Sequence, residues 1–441
     1  MESGPKRVVN RVLVACGGGD AEGIVTSVQR AGLEAVAVFT TQNAEAGWLD
    51  DADYATQLEP GTDPVAVLSA ALDAGADAVL PGSGPWARSA QLSQLAANVG
   101  LLWIGAATSV LSRVGDASAV RAIARDCGLA VLPHSPAIQE PAELRRWVDH
   151  LGPPLVVRGI GIGGAPPRVI VAGVEARELL ERPPAGPLLV ERIVPGARRI
   201  VVVVVSDGEG GAVAVGEHED AVLVEGQVWL RECPSELPTA GLRPTLHNAA
   251  AKLVVELGVR GVSGVVFQVG GDGHIWLDDL WPGLPPAYGL HNIVAGIDLV
   301  AAQLALALGD ELGWSQADIA PIRAAIELTV FVTASGTLEH VDLPEGYNWQ
   351  LLVHEGAEVE AAADPALLRL VVDGPTRHAA LVMAGVALAG VQIDGVPTTL
   401  GRLRTVLGGR DLWEGRSGLV MEVPAVPGAL PLSSSAPQAD D

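Results

Sequence analysis

Short apolar runs alternate with helix-length stretches over the first hundred residues, and this rhythm constrains the fold more than any other feature of the chain. The segments are 11–15, 21–31, 35–39, 64–74, 78–80, 87–99 and 101–104. Parallel strands need a crossover between them, usually a helix, and such units leave this alternation in a sequence. The pattern therefore predicts a parallel sheet with crossover helices.

The remainder of the chain changes character twice. Glycine-rich turns join paired apolar runs at 200–215 and 265–278, which indicates antiparallel hairpins. Further strands follow from about residue 322, together with a long helix predicted over 376–391. Pro, Ala and Ser dominate 424–441, so this tail is predicted to be disordered. A chain of 441 residues with 49% hydrophobic content can form about three domains.

Charge and hydropathy exclude two classes of partner. Lys and Arg number 28 against 52 Asp and Glu, and the net charge of -24 has the wrong sign for binding nucleic acid or anionic lipid. The longest apolar run, 379–391, has 13 residues, whereas a membrane-spanning helix needs about 20. No signal-peptide core begins the sequence. We therefore expect a cytoplasmic protein without nucleic-acid or membrane partners.

A glycine-rich turn, Gly17-Gly18-Gly19, follows the first predicted strand. It resembles a dinucleotide-binding loop, but no G-x-G-x-x-G pattern fits across 17–23. The alternative is a tight turn that needs positive φ or a close backbone approach. We favour this structural role.

Several short motifs then share an order and spacing with one known family. They are Arg11-Val-Leu-Val-Ala, Pro81-Gly-Ser-Gly, Ile104-Gly, Val114-Gly-Asp, Leu189-Val-Glu-Arg, Asp207-Gly, Gly296-Ile-Asp-Leu with Gln303-Leu, Arg377, Ile393-Asp-Gly-Val and Thr398. Over residues 11–407 the chain resembles the biotin carboxylase family, the ATP-grasp subunit of acyl-CoA and pyruvate carboxylases.

The resemblance implies an α/β fold of the biotin carboxylase kind. It places an N-terminal parallel α/β domain at 1–114 and an ATP-grasp domain at 115–320, with a mobile lid at about 130–200. A C-terminal mixed α+β domain follows at 321–423. Family members bind MgATP, phosphorylate bicarbonate and transfer the carboxyl group to biotin, and the resemblance implies a position in this chain for each residue that serves these steps.

The phosphate-binding positions are altered. The family's lysine after the Gly-Asp pair corresponds to Ala117, and the lysine that ends the lid strand corresponds to Arg158. The loop that follows retains Gly161, Gly163 and Gly164, whose backbone N–H groups suit an anion. Only Lys6 and Lys252 occur in the whole chain, so no other lysine can replace those lost.

The metal and bicarbonate positions are altered further. The family's two metal-binding glutamates and asparagine correspond to Val266, Asp278 and Leu280, so only Asp278, with its neighbour Asp279, could still bind magnesium. The remaining positions, which hold bicarbonate or stabilise the biotin enolate in the family, correspond to Val228, Pro286, Pro282 and Thr329. We therefore predict no catalytic residue and little metal-dependent ATP hydrolysis.

The charged residues that remain in the implied cleft are Arg158, Glu191, Asp278 and Glu327. Two interpretations stay open: Arg158 and a carboxylate form a residual ion pair, or Arg158 binds the phosphate or carboxylate of another ligand with Gly163 and Gly164. The adjacent arginines at 198 and 199 could bind an anionic partner, but we expect them at a solvated sheet edge. The histidines, His218, His274 and His291, lack metal-ligand spacing and are interpreted as structural or surface residues.

Two functional hypotheses follow. The first is a pseudoenzyme, a homodimer or a heteromer with carboxyltransferase, biotin carrier and active biotin carboxylase subunits, with a structural or regulatory role in an acyl-CoA carboxylase-type complex. The second is a divergent ATP-grasp ligase or a nucleotide- or anion-binding protein with a rebuilt site. No Ala-Met-Lys-Met motif occurs, so no biotin is expected on this chain. No cofactor is assigned, and binding of ATP and magnesium is doubtful.

Overall fold

The structure, a computed structural model, describes most of the chain. The described residues are 8–40, 49–58, 62–159, 168–170, 179–181, 183, 187–224, 226–237, 239, 241–360 and 366–415. The tail predicted over 424–441 lies outside these ranges, as do Gly161, Gly163 and Gly164.

A five-stranded parallel sheet forms the N-terminal part, as the alternation of apolar runs predicted. Its elements are β1 Arg11–Val14, α1 Gly19–Arg30, β2 Glu34–Phe39, β3 Tyr54–Gln57, α2 Pro64–Asp73, β4 Ala78–Leu80, α3 Ala90–Asn98, β5 Leu102–Trp103 and α4 Thr108–Val114. The strand order is β3-β2-β1-β4-β5, and all four neighbouring pairs are parallel. The sequence did not predict β3, because three of its four residues are exposed at the sheet edge and form no apolar run.

A small three-stranded sheet lies in the predicted lid region. The elements of this section are α5 Ala117–Asp126, β6 Ala130–Val131, α6 Pro141–Leu151, β7 Leu155–Gly159, β8 Arg168–Ile170 and β9 Leu188–Arg192. Strand β7 pairs antiparallel with both β8 and β9. Apolar side chains of α6 and β9, including Leu144 and Val190, form a separate small core with β7.

The middle of the chain contributes long antiparallel strands, as the hairpin signals predicted. The elements are β10 Arg198–Asp207, β11 Ala212–Val224, β12 Gln227–Cys233, α7 Leu242–Leu257, β13 Arg260–Val269, β14 Ile275–Trp281, α8 Tyr288–Ala295 and α9 Leu299–Ala307. No single helix in the described ranges is long and apolar enough to cross a membrane, although α8 and α9, which meet at 102°, pass that test as a bent pair.

The C-terminal strands extend the same sheet. The elements are β15 Ala324–Phe331, β16 Gly336–Thr337, β17 His340–Asp342, β18 Asn348–Leu351, β19 Glu358–Val359, β20 Ala366–Gly374, α10 Arg377–Gly390, β21 Gln392–Asp394, α11 Leu400–Leu407 and α12 Arg410–Trp413. Nine strands form one sheet in the order β18-β20-β15-β12-β11-β10-β13-β14-β6. Because β12 pairs with β15, the predicted boundary at residue 320 does not interrupt the sheet.

The glycine-rich turn before α1 contacts strand β18 of the C-terminal part of the chain. Gly18 has φ of 75°, which favours glycine. A side chain at Gly19 would collide with the side chain of Gln350 in β18, whose Nε2 donates to the carbonyl oxygen of Gly19 at 2.9 Å. The positive φ of Gly18 agrees with the tight turn that we favoured from the sequence, whereas the close contact at Gly19 is with a side chain, which the sequence did not predict.

Candidate functional site

A cavity of about 430 Å³ lies between the N-terminal sheet, the lid sheet and β14. Arginines are its most prominent polar lining in the described structure: Arg88, Arg121, Arg158 and Arg199. Arg88 belongs to a 3₁₀ turn, Pro85–Arg88, just before α3, whereas the other three come from α5, β7 and β10. The cavity thus lies where three parts of the chain meet.

Glu191 on β9 connects the lid sheet to the body of the protein. Its side chain is 5% exposed and lies between two guanidinium groups, with Oε2 2.6 Å from Nη2 of Arg158 and Oε1 accepting from Nη2 of the buried Arg121. Burial alone would lower the pKa of Arg158, but the negative charges of Glu191, Asp279 and Asp278 outweigh burial and raise it. The structure therefore brings two of the predicted site residues, Arg158 and Glu191, into one buried ion pair.

Two consecutive aspartates of β14 both face the cavity. Successive side chains of a regular strand point to opposite faces, but the pairing of β13 with β14 shifts between Val266 and Phe267, so β14 has one extra residue at Asp278. This bulge brings the side chains of Asp278 and Asp279 to the same site. Their carboxylates are then available to the surrounding arginines.

Each of these aspartates is engaged by cationic or amide groups. Asp278 lies 3.4 Å from Nε of Arg199 and accepts from Gln268 at 3.3 Å. Asp279 Oδ2 accepts from Arg88 Nη2 at 2.8 Å and lies 3.7 Å from Arg158 Nη1. Burial would raise the pKa of Asp279, but the charges of Arg88 and Arg158 lower it strongly. Asp279 is therefore held as a carboxylate.

The residues present do not fit a magnesium ion. Magnesium needs oxygen ligands in nearly octahedral geometry, yet the carboxylates of Asp278 and Asp279 are committed to the neighbouring side chains. The positions that carry metal ligands in the family, Val266 and Leu280, are buried apolar residues. Within the part of the chain that the structure describes, no three His, Cys, Asp or Glu side chains are placed to hold a metal.

Glu327 lies in a second cluster that is joined to the first. Asp220 is the link: Arg199 binds it from one side, and Arg231 Nε donates to it at 2.8 Å from the other. Arg231 also binds Glu327, which is 3% exposed. The two arginines lower the pKa of Asp220 to about 2 although burial would raise it. Glu327 is therefore separated from Arg158 by a series of alternating charges.

The same series reaches the N-terminal helix through β20. Arg369 Nε lies 3.8 Å from Glu327, and its Nη1 donates to Asp20 in α1 at 2.6 Å. Arg369 pairs in register with Thr329, the position of the family's enolate-stabilising arginine. A guanidinium therefore lies on the strand beside that position, where it is bound by the chain's own carboxylates.

The predicted solvated edge at residues 198 and 199 is wrong. Strand β10 has hydrogen-bonded neighbours on both sides, β11 and β13, so it has no free edge. Arg198 is 7% exposed and donates to Glu219 at 2.9 Å, whereas Arg199 binds Asp220. Consecutive arginines point to opposite faces of the sheet, and each face supplies its own carboxylate.

The histidines take structural or surface positions, as predicted. His218 Nδ1 lies 2.8 Å from His291 Nε2, and both side chains are buried. Burial lowers the pKa of His218 to about 3 and holds that of His291 well below its ordinary value. His274 is exposed beside Asp272.

Sequence reasoning missed most members of the charge clusters: Asp20, Arg88, Arg121, Asp220, Arg231 and Arg369. A signal was available in charged residues inside otherwise apolar strands, such as Asp220 and Arg231, because buried charges need partners. The ion pair of Arg158 with a carboxylate is present, as one of the two interpretations had it. The other, in which Gly163 and Gly164 help Arg158 to bind a ligand, cannot be compared with the structure, since Gly161, Gly163 and Gly164 lie outside the described residues.

Comparison with known proteins gives a consistent assignment along the chain. Three family models match in succession: "Biotin carboxylase, N-terminal domain" at 8–111, "Carbamoyl-phosphate synthase L chain, ATP binding domain" at 116–314 and "Biotin carboxylase C-terminal domain" at 323–418. Together these models account for nearly all of the described structure.

Relatives and solved structures agree with these matches. A biotin carboxylase of Halalkalibacterium halodurans is 26% identical over 90% of this chain and 93% of its own length. The mitochondrial methylcrotonoyl-CoA carboxylase subunit alpha of Oryza sativa is 28% identical over 91% of this chain, which spans 58% of that subunit. The biotin carboxylase domain of the 2-oxoglutarate carboxylase of Hydrogenobacter thermophilus has the same fold, with a TM-score of 0.80 at 23% identity over 93% of this chain and 96% of that one. With the same order of motifs, domain matches and sheet architecture, this chain belongs to the biotin carboxylase family.

Proposed function

We propose that the protein is a catalytically inactive biotin-carboxylase-like subunit with a structural or regulatory role in a cytoplasmic biotin-dependent acyl-CoA carboxylase-type complex. One observation carries the proposal: the cations of the cleft are already bound by the chain's own carboxylates. Four arginines line the cavity, and Glu191, Asp220, Asp278 and Asp279 bind them. Four positive and four negative charges leave this cluster without the excess positive charge that a nucleotide triphosphate needs.

Two positions that line the cavity also lack the side-chain groups that carboxylation uses in the family. Ala117 and Pro282 line the cavity at positions where the family carries a phosphate-binding lysine and a bicarbonate-site arginine. Neither side chain can donate a hydrogen bond or take up a proton. Loss of a single preorganised donor commonly lowers the rate by about a hundredfold to a thousandfold. Because several such groups are lost together, we propose no carboxylation step for this chain.

The names of the relatives support the proposed role in an assembly. The rice relative and the alpha3 subunit of Mycobacterium leprae, 28% identical, are named as subunits of acyl-CoA carboxylases. The solved 2-oxoglutarate carboxylase domain is described as a dimer. We therefore propose that this chain forms a homodimer or joins an active biotin carboxylase, a biotin carrier and a carboxyltransferase.

Calorimetric titration of the purified protein with MgATP, with ADP and metal-free ATP as controls, tests the proposal. We expect no saturable heat, because bound phosphates would have to displace four carboxylates from their arginines. Saturable magnesium-dependent binding at micromolar concentration would instead favour the second hypothesis, a nucleotide-binding protein with a rebuilt site. Co-purification of carboxylase subunits with a tagged copy tests the assembly role separately.

A further inference from the structure

We propose that Asp279 is a built-in anion, which occupies a small-oxyanion site between Arg88 and Arg158 and thereby keeps that site closed to phosphate. This inference deepens the proposed function and rests on it, since it describes how the cleft is kept free of anionic ligands. Arg88 was not singled out from the sequence, and Asp279 was named there only as a neighbour that could help Asp278 to bind magnesium.

The geometry around Asp279 is that of a bound oxyanion. Its Oδ2 meets two guanidinium groups, at 2.8 Å to Arg88 Nη2 and 3.7 Å to Arg158 Nη1. Its Oδ1 accepts from the backbone N–H of Leu280 at 2.8 Å. Two arginines and one backbone donor are the groups that bind phosphate and other oxyanions in proteins.

Both arginines are held in place by contacts other than Asp279. The guanidinium carbon of Arg88 lies 4.1 Å from the ring centroid of Trp281, a cation–π contact. Arg158 binds Glu191 at 2.6 Å and donates to the carbonyl oxygen of Asp278 at 3.2 Å. Removal of the Asp279 side chain would therefore leave the two cations in position beside the cavity, which has room for a tetrahedral anion.

The covalent attachment of Asp279 to the chain explains why the site stays closed to free anions. Asp279 is part of β14, so its carboxylate is presented to the arginines at the high effective concentration of an intramolecular partner. A free oxyanion must compete with this carboxylate from solution. The site is therefore autoinhibited by the chain itself.

Titration of the full-length Asp279→Ala variant with inorganic phosphate tests this inference. We expect saturable binding in the millimolar range, at least about tenfold tighter than to the wild type. Asp272→Ala is the matched control: it removes the same charge from an exposed position in the β13–β14 turn and should leave phosphate binding unchanged. The double variant Arg88→Gln/Asp279→Ala should lose the gain.

The melting temperature supplies a second readout, which can be measured even if the Asp279→Ala variant is destabilised. We expect Asp279→Ala to be less stable than the wild type and to be restabilised by phosphate but not by sodium chloride of equal ionic strength. Equal phosphate affinity in Asp279→Ala and wild type, or a gain that persists in the Arg88→Gln double variant, overturns the inference. Wild-type binding of MgATP would contradict the proposed function instead, so the two failures are distinguishable.

Discussion

Replacement of Glu191 by Gln is the most direct test of the ion-pair cluster, because this change keeps the shape of the side chain and removes one charge. Glu191 is 5% exposed and lies between Arg121, at 5%, and Arg158, at 20%. Removing one partner of a buried ion pair costs about 3–5 kcal/mol, since the other charge is left uncompensated.

The surroundings place the expected loss at the lower end of that range. Without the Glu191 charge, Arg121 would still donate hydrogen bonds to the carbonyl oxygens of Ala117 at 3.0 Å and of Asp278 at 3.3 Å. Arg158 would still donate to the same Asp278 carbonyl oxygen. We therefore expect Glu191→Gln to lower the free energy of unfolding by about 3 kcal/mol. Urea denaturation followed by tryptophan fluorescence measures this loss, and equal m-values show that the two proteins unfold alike.

An exposed ion pair is the matched control. Glu143 and Arg146 lie 3.3 Å apart on α6, and their side chains are 42% and 71% exposed. Exposed pairs contribute at most about 1 kcal/mol, so Glu143→Gln should change stability by less than about 0.5 kcal/mol. A Glu191→Gln variant that unfolds within about 0.5 kcal/mol of the wild type would refute the reasoning.

Two further predictions concern backbone conformation and pH. Gly395→Ala should destabilise the protein by about 2 kcal/mol or more, because Gly395 has φ of 93° and a Cβ there would collide with the backbone oxygen of Thr337. The control is Gly401→Ala, in α11 with open space around it, which should stabilise the protein by about 0.5–1 kcal/mol. Equal urea midpoints for the two variants would contradict this prediction. The buried pair His218 and His291 is neutral when folded, and its pKa values are lowered by burial. An unfolded imidazole takes up a proton near pH 6.5, so the melting temperature should fall as pH drops below about 6.5 towards 3. His218→Gln should reduce this slope, whereas the exposed His274→Gln should keep it, and a wild-type melting temperature that is constant from about pH 6.5 to 4 would count against the assignment.

Local sequence patterns were sufficient for most of the architecture. The parallel N-terminal sheet followed from apolar runs and helix-length spacers, and the β10–β11 hairpin followed from its Asp207-Gly208 turn. Strand β3 was missed because an exposed edge strand has no apolar run to reveal it. Patterns of this kind report burial, and they fail where an element is not buried.

The site was only partly accessible from sequence. The pairing of Arg158 with a carboxylate could be predicted, because family motifs placed both groups in one cleft. The contact of Arg88 with Asp279 joins residues 191 positions apart, and that of Arg121 with Glu191 joins residues 70 apart. A single sequence carries no periodicity over such separations.

The bulge that turns two consecutive aspartates towards the cavity was likewise inaccessible. It depends on how β14 pairs with β13, which is a property of two strands and not of one. For the same reason the sequence misplaced Arg199: the neighbours of β10 had to be known before its environment could be assigned.

The continuous nine-stranded sheet has a practical consequence for dissecting this protein. Residues 230–233 of strand β12 pair with β15 along one edge of β12. A fragment that ends near residue 320 would therefore leave the peptide groups of that edge without hydrogen-bond partners. An uncovered strand of this kind is a template for pairing with other chains. Recombinant fragments cut at the apparent domain junction should therefore aggregate, and a soluble truncation must keep β15 and β20 with the strands that precede them.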